Sequence, residues 1–423
     1  MGKTISEKIL SHKIGQDVKA GDIVNANIDY AMTTDILGPK IISEHLERFN
    51  NKIKYPEKTV IVSDHYTPAG TIDQANIVAF TRKWAKERGI ANYYEGQGPC
   101  HQILAEEGYS LPNTIVVGTD SHTCSAGAFA CFGTGIGSTE LVAALVTGEM
   151  WFRVPETIKI QWDGHLQNGV MAKDIILKTI KDIGHAGATY KSLEFLGSTI
   201  RAIPMDERIC ISNMAVEAGA KVGLIPSDEI TRKYLEGIGK ASAFVEIMPD
   251  KDAVYERELF YDSSILQPQV SFPHEVDNVK DIEESVGVKM DKGYIGSCTG
   301  GRLYDLQAAA EILKGRRISS GFQLLVSPAS QKIWVQANKL GLLEILADAG
   351  ATILAPTCGA CLGLHSGLLG EGESCISTTN RNFKGRMGSP DSYAYLASPA
   401  TVAATAINGE ISDPRNYLNE VKK

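Results

Sequence analysis

The sequence predicts an α/β protein of more than one domain, with its chemistry carried at the ends of strands. Three observations predict it. Short apolar runs alternate with stretches of helical period, titratable residues follow several of those runs directly, and 423 residues are too many for one ordinary core. Composition narrows the class. A hydrophobic share of 43% with 22% charged residues belongs to a globular enzyme rather than a disordered or fibrous chain. A net charge of −8 offers no basic surface for nucleic acid. No uncharged apolar run reaches the length of a membrane span, and the N-terminus lacks a secretory core. Eight cysteines at irregular spacing do not describe a disulfide framework, so a reducing cytoplasm is the expected location.

Gly2 and Ser6 match an N-myristoylation pattern, but Thr4 with Glu7 three residues on is the stronger signal, the start of a helix. Residues 59–63 form a short buried strand, with Asp64 and His65 at its C-terminal end. Residues 74–88 carry Ile77, Phe80 and Trp84 at helical spacing. A second strand, 114–117, runs into Gly118-Thr119-Asp120-Ser121-His122-Thr123. Titratable groups after apolar strands are where open α/β sheets hold their sites. The glycine-rich stretch 127–137 follows. Its Gly133-x-Gly135-x-Gly137 spacing is not a dinucleotide fingerprint, and close packing of backbone is the expectation. Ser138 then caps a helix through Met150.

Texture changes at Val154-Pro155, so the first domain is expected to span 1–155. A second, 156–275, opens on an alternating strand at 157–162, with helices at 172–183, around 213–218 and from Ser227-Asp228-Glu229. Pro268 and Pro273 mark a linker into a third, 276–423. There the alternation is clearest. A strand at 294–296, a helix at 303–313 and a strand at 323–326 lead to Ser327, a cap with Pro328 at the first helical position. Strands at 352–354 and 375–377 follow.

The third domain concentrates the unusual chemistry. Cys298 lies in Ser297-Cys298-Thr299, Cys358 and Cys361 form a C-x-x-C, and residues 380–386 read Asn-Arg-Asn-Phe-Lys-Gly-Arg. Three thiols beside two arginines and two asparagines describe a soft metal centre with an anion clamp. A C-x-x-C alone is shared by zinc, redox and iron–sulfur sites. Cys375 falls inside an apolar strand pattern and is expected as a core residue, which leaves a closed zinc tetrahedron without its fourth thiol. Three thiolates suit an iron–sulfur cluster with one open iron. On spacing alone, zinc and a non-metal role stay open. Cys100, Cys124, Cys131 and Cys210 are isolated, each expected as a small buried hydrophobe.

These residues resemble a known family. Gly296-Ser297-Cys298-Thr299, Cys358-x-x-Cys361, Asn380 to Arg386, Gly118 to Thr123 and His101-Gln102 are similar to motifs of the aconitase family, in that family's order along the whole chain. The chain stops soon after Asp413-Pro414-Arg415, where single-chain aconitases continue into a fourth, swivelling domain. The resemblance is therefore to the large subunit of the isopropylmalate isomerase, homoaconitase and dimethylmalate dehydratase branch. It implies a three-domain aconitase-like fold and a separate small subunit, in a heterodimer or heterotetramer. The implied reaction is reversible dehydration of a hydroxy-dicarboxylate, a substituted malate. Isopropylmalate leads, with 2,3-dimethylmalate dehydration and homoaconitase chemistry as alternatives. A non-catalytic zinc or redox protein using only the C-x-x-C is the alternative from another class.

By the same resemblance, Cys298, Cys358 and Cys361 ligate a [4Fe-4S] cluster. Asp64 and His65 match an acid–base pair, and His101, Asp120 and His122 match groups that hydrogen-bond water and hydroxyl at the open iron. Ser121, Arg381 and Arg386 match substrate contacts. Asn213 and Glu217 approach the cluster and the proton network, and Asn380 donates near the cluster sulfurs. The family's catalytic base is a serine of the fourth domain, so a chain without it is expected to need its partner. Two positions depart from the family. Gly300 stands where asparagine is usual, which predicts either a looser loop beside Cys298 or a change in what lies near the substrate, and Thr34 stands where relatives often carry a larger polar residue.

Overall fold

Valine and isoleucine at 60–62 are completely buried, so the strand Thr59–Ser63 has no solvent face. That is the mark of a parallel strand covered on both sides, and each such side chain contributes about 1.5–3 kcal/mol by leaving water. The computed structural model describes residues 2–418. They group into two units. One is Met1–Glu95, Cys100–Asp163 and Ala186–Tyr261; the other is Gly96–Pro99, Gly164–His185 and Asp262–Lys423.

In the first unit, five parallel strands lie in the order Asn92–Glu95, Thr59–Ser63, Tyr30–Thr34, Ile115–Gly118, Phe132–Gly135. The chain starts in the middle at Tyr30–Thr34, steps outward twice, then returns to the other side of its starting strand. The place where the direction reverses lies between Tyr30–Thr34 and Ile115–Gly118. Such switch points open a crevice at the strands' C-terminal ends. A second sheet of this unit runs Val222–Leu224, Ser192–Leu196, Thr157–Asp163, Arg257–Asp262. The N-terminal helix Ile5–Ile14 begins with the expected capping box between Thr4 and Glu7. Its first N–H, of Ile5, donates to Glu194 Oε2 at 2.9 Å.

The second unit repeats the arrangement. Its seven-stranded sheet runs Val279–Asp281, Gln269–Ser271, Tyr393–Leu396, Ser374–Ser377, Lys292–Ile295, Gln323–Val326, Thr352–Ile353. The last five are parallel, and the reversal falls between Lys292–Ile295 and Ser374–Ser377. Helices Leu303–Leu313 and Pro399–Asn408 supply Leu306, Ala309, Val402 and Ala403 to the core of this unit. The stretch 156–275 is shared between the units. Its sheet packs in the first, whereas the helix Ala172–Ile183 belongs to the second, where Asp174 Oδ1 accepts the Gln269 N–H at 2.8 Å.

Two expected elements differ. The helix Ser138–Thr147 has Gly137, not Ser138, at its cap, and it stops at Thr147 because Gly148 turns left-handed at φ 73° and ends it. Glu149–Arg153 then extends as a strand antiparallel to Ile23–Asn27. The helix expected at Ser327 starts at Gln331 instead, and Ser330 Oγ accepts the Ile333 N–H at 3.1 Å. Ser327 turns its hydroxyl to the Ala355 carbonyl. Among the described residues, no helix is long and apolar enough to cross a membrane.

Candidate functional site

Three neighbouring strands of the first unit end in titratable groups. Thr59–Ser63 ends in Asp64 and His65, Ile115–Gly118 leads to Asp120 and His122, and Tyr30–Thr34 ends in Asp35. All lie at the C-terminal ends around the switch point. The structure brings the predicted acid–base residues into one buried hydrogen-bonded network. His65 Nδ1 lies 2.7 Å from Asp64 Oδ1, and Asp64 Oδ2 accepts the Cys100 N–H at 2.6 Å. Asp120 Oδ1 meets His101 Nε2 at 3.0 Å and His122 Nδ1 at 3.2 Å. The far nitrogen of His122 contacts Glu217 Oε1 at 2.7 Å. His101 Nδ1 is buried with no protein partner, which leaves that nitrogen for a water or a ligand.

The charges in this network hold one another. Burial alone would lower the His65 pKa, but Asp64 and Asp35 outweigh it and keep the imidazole well above its ordinary value. Asp120 is the converse. Burial would raise its carboxyl, but His101 and His122 hold it well below the usual range. A histidine held charged near a carboxylate held ionised is an arrangement that donates a proton and restores it through neighbours.

Asn213 and Glu217 are buried, not solvated. Asn213 Nδ2 donates to Ser125 Oγ at 2.8 Å, and Ser125 Oγ donates to the His122 carbonyl, so Asn213 steadies the turn that carries His122. The glycines of 133–137 let that turn approach. A Cβ on Gly133 would meet the Thr123 carbonyl at 2.5 Å, and one on Gly135 would meet Ser121 Cα at 2.8 Å. Close backbone packing is what this stretch does. Ser121, half-exposed, lines a cleft with Gly135 and Lys221.

In the second unit the three thiols leave the sheet at the ends expected for them. Cys298 follows Lys292–Ile295, Cys358 and Cys361 follow Thr352–Ile353, and Asn380 follows Ser374–Ser377. The Asn380 amide lies between two of them, Nδ2 3.8 Å from Cys298 Sγ and Oδ1 3.4 Å from Cys361 Sγ. Burial raises the Tyr294 phenol, and the charges of Cys361, Cys358 and Cys298 raise it further, so all three sulfurs bear on one ring. Among the described residues, none of the eight cysteines is joined in a disulfide. Cys375 differs from the three. It is buried inside a strand, and burial pushes its thiol up to about 12, the state of an inert core residue. Cys100, Cys124, Cys131 and Cys210 are buried as expected. Cys298 and Cys361 flank one amide, and with Cys358 they form a soft donor set.

The loop that presents Cys298 is tightly held. Ser297 is left-handed at φ 67°, a strained geometry for a side-chain-bearing residue, and Ser297 Oγ accepts the Thr299 N–H at 3.2 Å. Buried Arg302 donates to the Cys298 carbonyl. Thr378 Oγ1 accepts the Gly296 N–H at 2.9 Å, and the Thr378 carbonyl accepts the Thr299 hydroxyl at 2.8 Å. Fully buried Lys173 donates to the carbonyls of Thr378 and Thr379 at 3.0 and 2.5 Å. Position 300 has no room for a side chain, since a Cβ there would lie 2.3 Å from Thr378 Cβ. The expected looseness is absent: Thr378 occupies the space and bonds the loop.

The arginine segment is anchored from within. Asn382 Nδ2 donates to Ser271 Oγ at 3.1 Å and to the Phe272 carbonyl at 2.8 Å. Arg386 Nη2 lies 3.9 Å from Cys361 Sγ, and its Nε is buried with no protein partner. A guanidinium beside the sulfurs with an unused donor suits a carboxylate ligand. Arg381 is half-exposed in the same segment. Asp35 is the residue that motif reasoning passed over. Its signal was present, a β-rich run 30–34 closed by a carboxylate as the other strands are.

Comparison with known proteins accords with this geometry. The model of the aconitase family (aconitate hydratase) matches residues 7–289 and 283–409. The 3-isopropylmalate dehydratase large subunit 1 of Methanopyrus kandleri is 48% identical over 420 residues, covering 99% of this chain and 100% of the relative. The large subunit 1 of the Thermotoga maritima enzyme matches at the same identity and coverage. Large subunit 2 from Archaeoglobus fulgidus is 48% identical over 418 residues. With a family match over nearly its whole length and relatives this similar from end to end, the chain belongs to the aconitase family.

Proposed function

We propose that this chain is the catalytic large subunit of a [4Fe-4S] hydro-lyase that reversibly dehydrates 3-isopropylmalate, acting with a separate small subunit. The observation that carries the reading is that relatives aligned over nearly the full length of both chains share the name 3-isopropylmalate dehydratase large subunit. The donor set supports the cofactor. Cys298, Cys358 and Cys361 would hold the cluster, with the Asn380 amide N–H beside the Cys298 sulfur. When bound, the cluster supplies a Lewis acid for a poor leaving group, hydroxide.

The chain's own residues do the rest. His65, oriented by Asp64, donates its proton to the departing hydroxyl, which leaves as water when the carbon–oxygen bond breaks. Asp120, His101 and His122, backed by Glu217, hydrogen-bond that oxygen as it leaves. Arg381 and Arg386 bind the substrate carboxylates and Ser121 contacts the substrate. The carbon-bound proton goes to a base on the partner.

The test is the dehydration rate of the anaerobically reconstituted pair on isopropylmalate, homocitrate, citramalate and 2,3-dimethylmalate. A brown pair with about four irons, fastest on isopropylmalate, is expected. Preference for another of the four overturns the substrate, and a colourless, zinc-bearing protein overturns the cofactor.

A further inference from the structure

Three carboxylates converge on one imidazole. His65 Nδ1 lies 2.7 Å from Asp64 Oδ1 and 3.4 Å from Asp35 Oδ1, and its Nε2 lies 3.8 Å from Asp120 Oδ2. Asp64 and Asp120 belong to motifs already assigned; Asp35 does not. It sits at the end of Tyr30–Thr34, the central strand of the sheet, with no solvent exposure. Its Oδ2 accepts the Tyr66 N–H at 2.9 Å, and its Oδ1 accepts the N–H groups of His65 at 3.3 Å and Ile36 at 3.1 Å. One side chain therefore grips the backbone on both sides of His65 Cα while its charge lies beside the ring.

A neutral imidazole needs a single acceptor at Nδ1. Burying a second carboxylate there is unfavourable unless the group between the two carries a positive charge. Asp64 alone fixes the ring's tautomer, so Asp35 is surplus to orientation and acts on charge. The charged groups facing His65 are Asp35 from the central strand, Asp64 from its own strand end, and Asp120, which is shared with His101 from Cys100–Glu106 and His122 from the following turn.

We propose that Asp35 is a positioning residue for the dehydration, fixing the 64–66 turn and keeping His65 in its charged, proton-donating form. The proposal rests on His65 being the acid.

In the intact pair with its cluster, Asp35→Asn keeps size and removes charge. It is expected to lower kcat on isopropylmalate about 10- to 100-fold while KM changes little. The alkaline limb of its rate profile should move down by about one pH unit or more. Asp35→Glu, which restores charge, should return the limb toward its original position. Independently of turnover, carbon NMR of histidine-labelled full-length chain, with His65 assigned by His65→Gln, reads the ring directly. In the unmodified protein His65 should stay protonated well beyond an ordinary histidine near 6.5, and in Asp35→Asn it should titrate lower. A rate loss with an unmoved limb and unmoved titration overturns the proposal, as does ordinary His65 titration in the unmodified chain, which needs no variant to fold. Failure of the pair to dehydrate any of the four substrates would count against the function and leave the NMR test standing.

Discussion

The Asn380 amide lies between Cys298 and Cys361, and one carbon more at position 300 would strike the Thr378 that bonds the Cys298 loop. Residues that touch no substrate thus set how firmly the thiol centre is held. Asn380→Ala is expected to weaken iron retention or activity about 10- to 100-fold, as loss of partners to metal ligands does. Iron content and visible absorbance during chelator challenge measure it. Retention equal to the unmodified protein would show that Asn380 is a bystander. Gly300→Asn, the family's usual residue, should not restore family behaviour here. It forces Thr378 aside and should cost about 1–3 kcal/mol of stability, with lower iron loading. A variant as stable and as iron-rich as the parent would mean that the loop has slack the contacts do not show. The space at 300 is thus closed by Thr378, a contact invisible in sequence because the two lie far apart along the chain.

Elements show which local signals can be trusted. Helices Ala172–Ile183 and Leu303–Leu313 and the strand Gln323–Val326 were legible to the residue, because apolar period and flanking polar groups agree within each window. The strand Glu149–Arg153 was not. Met150 and Trp151 extend the apolar pattern of the helix before them, and only Gly148, with its left-handed turn, says that the helix has ended. The helix Ile5–Ile14 teaches another point, since its cap was readable but its dock was not. Burial pushes the Glu194 carboxyl up to about 7, although Tyr255 and the Ile5 N–H both pull it down. Above about 4.5 the unfolded chain ionises Glu194 while the native state keeps its proton. The unfolded state then binds fewer protons, so this residue lowers stability as pH rises from about 4.5 to 7. Glu194→Gln removes that dependence and can keep both hydrogen bonds. Denaturant melts at pH 5 and 7.5 should show the variant gaining on its parent at the higher pH. An equal difference at both would mean that Glu194 is ionised in the native state throughout.

At the scale of the whole molecule, the two units carry the same strand order, starting in the middle and reversing once, and each puts its chemistry where the direction reverses. The motifs themselves are local and were readable: a thiol after one strand, a histidine after another, an arginine segment after a third. That Tyr30–Thr34 lies between Thr59–Ser63 and Ile115–Gly118 was not, because pairing across 28 and 86 residues leaves no mark in any one window. Asp35 had a local signal, a carboxylate closing the run 30–34, but its place beside His65 depends on that pairing. The parts list is uneven in a way that bears on activity. The acid, hydrogen-bonding groups and carboxylate binders proposed above all lie on this chain, whereas the relatives of this length are named as large subunits. Full turnover should therefore require a second chain. Holding the cluster-loaded large subunit constant and titrating in the cognate small subunit, isopropylmalate dehydration should rise from background and saturate. His65→Gln in the same titration should saturate at a rate lower by about 10²–10⁴-fold, because the acid is lost while assembly is not. Full turnover by the large subunit alone would sink the division of labour. An unchanged plateau with His65→Gln would instead leave the partner intact and remove the acid from this chain.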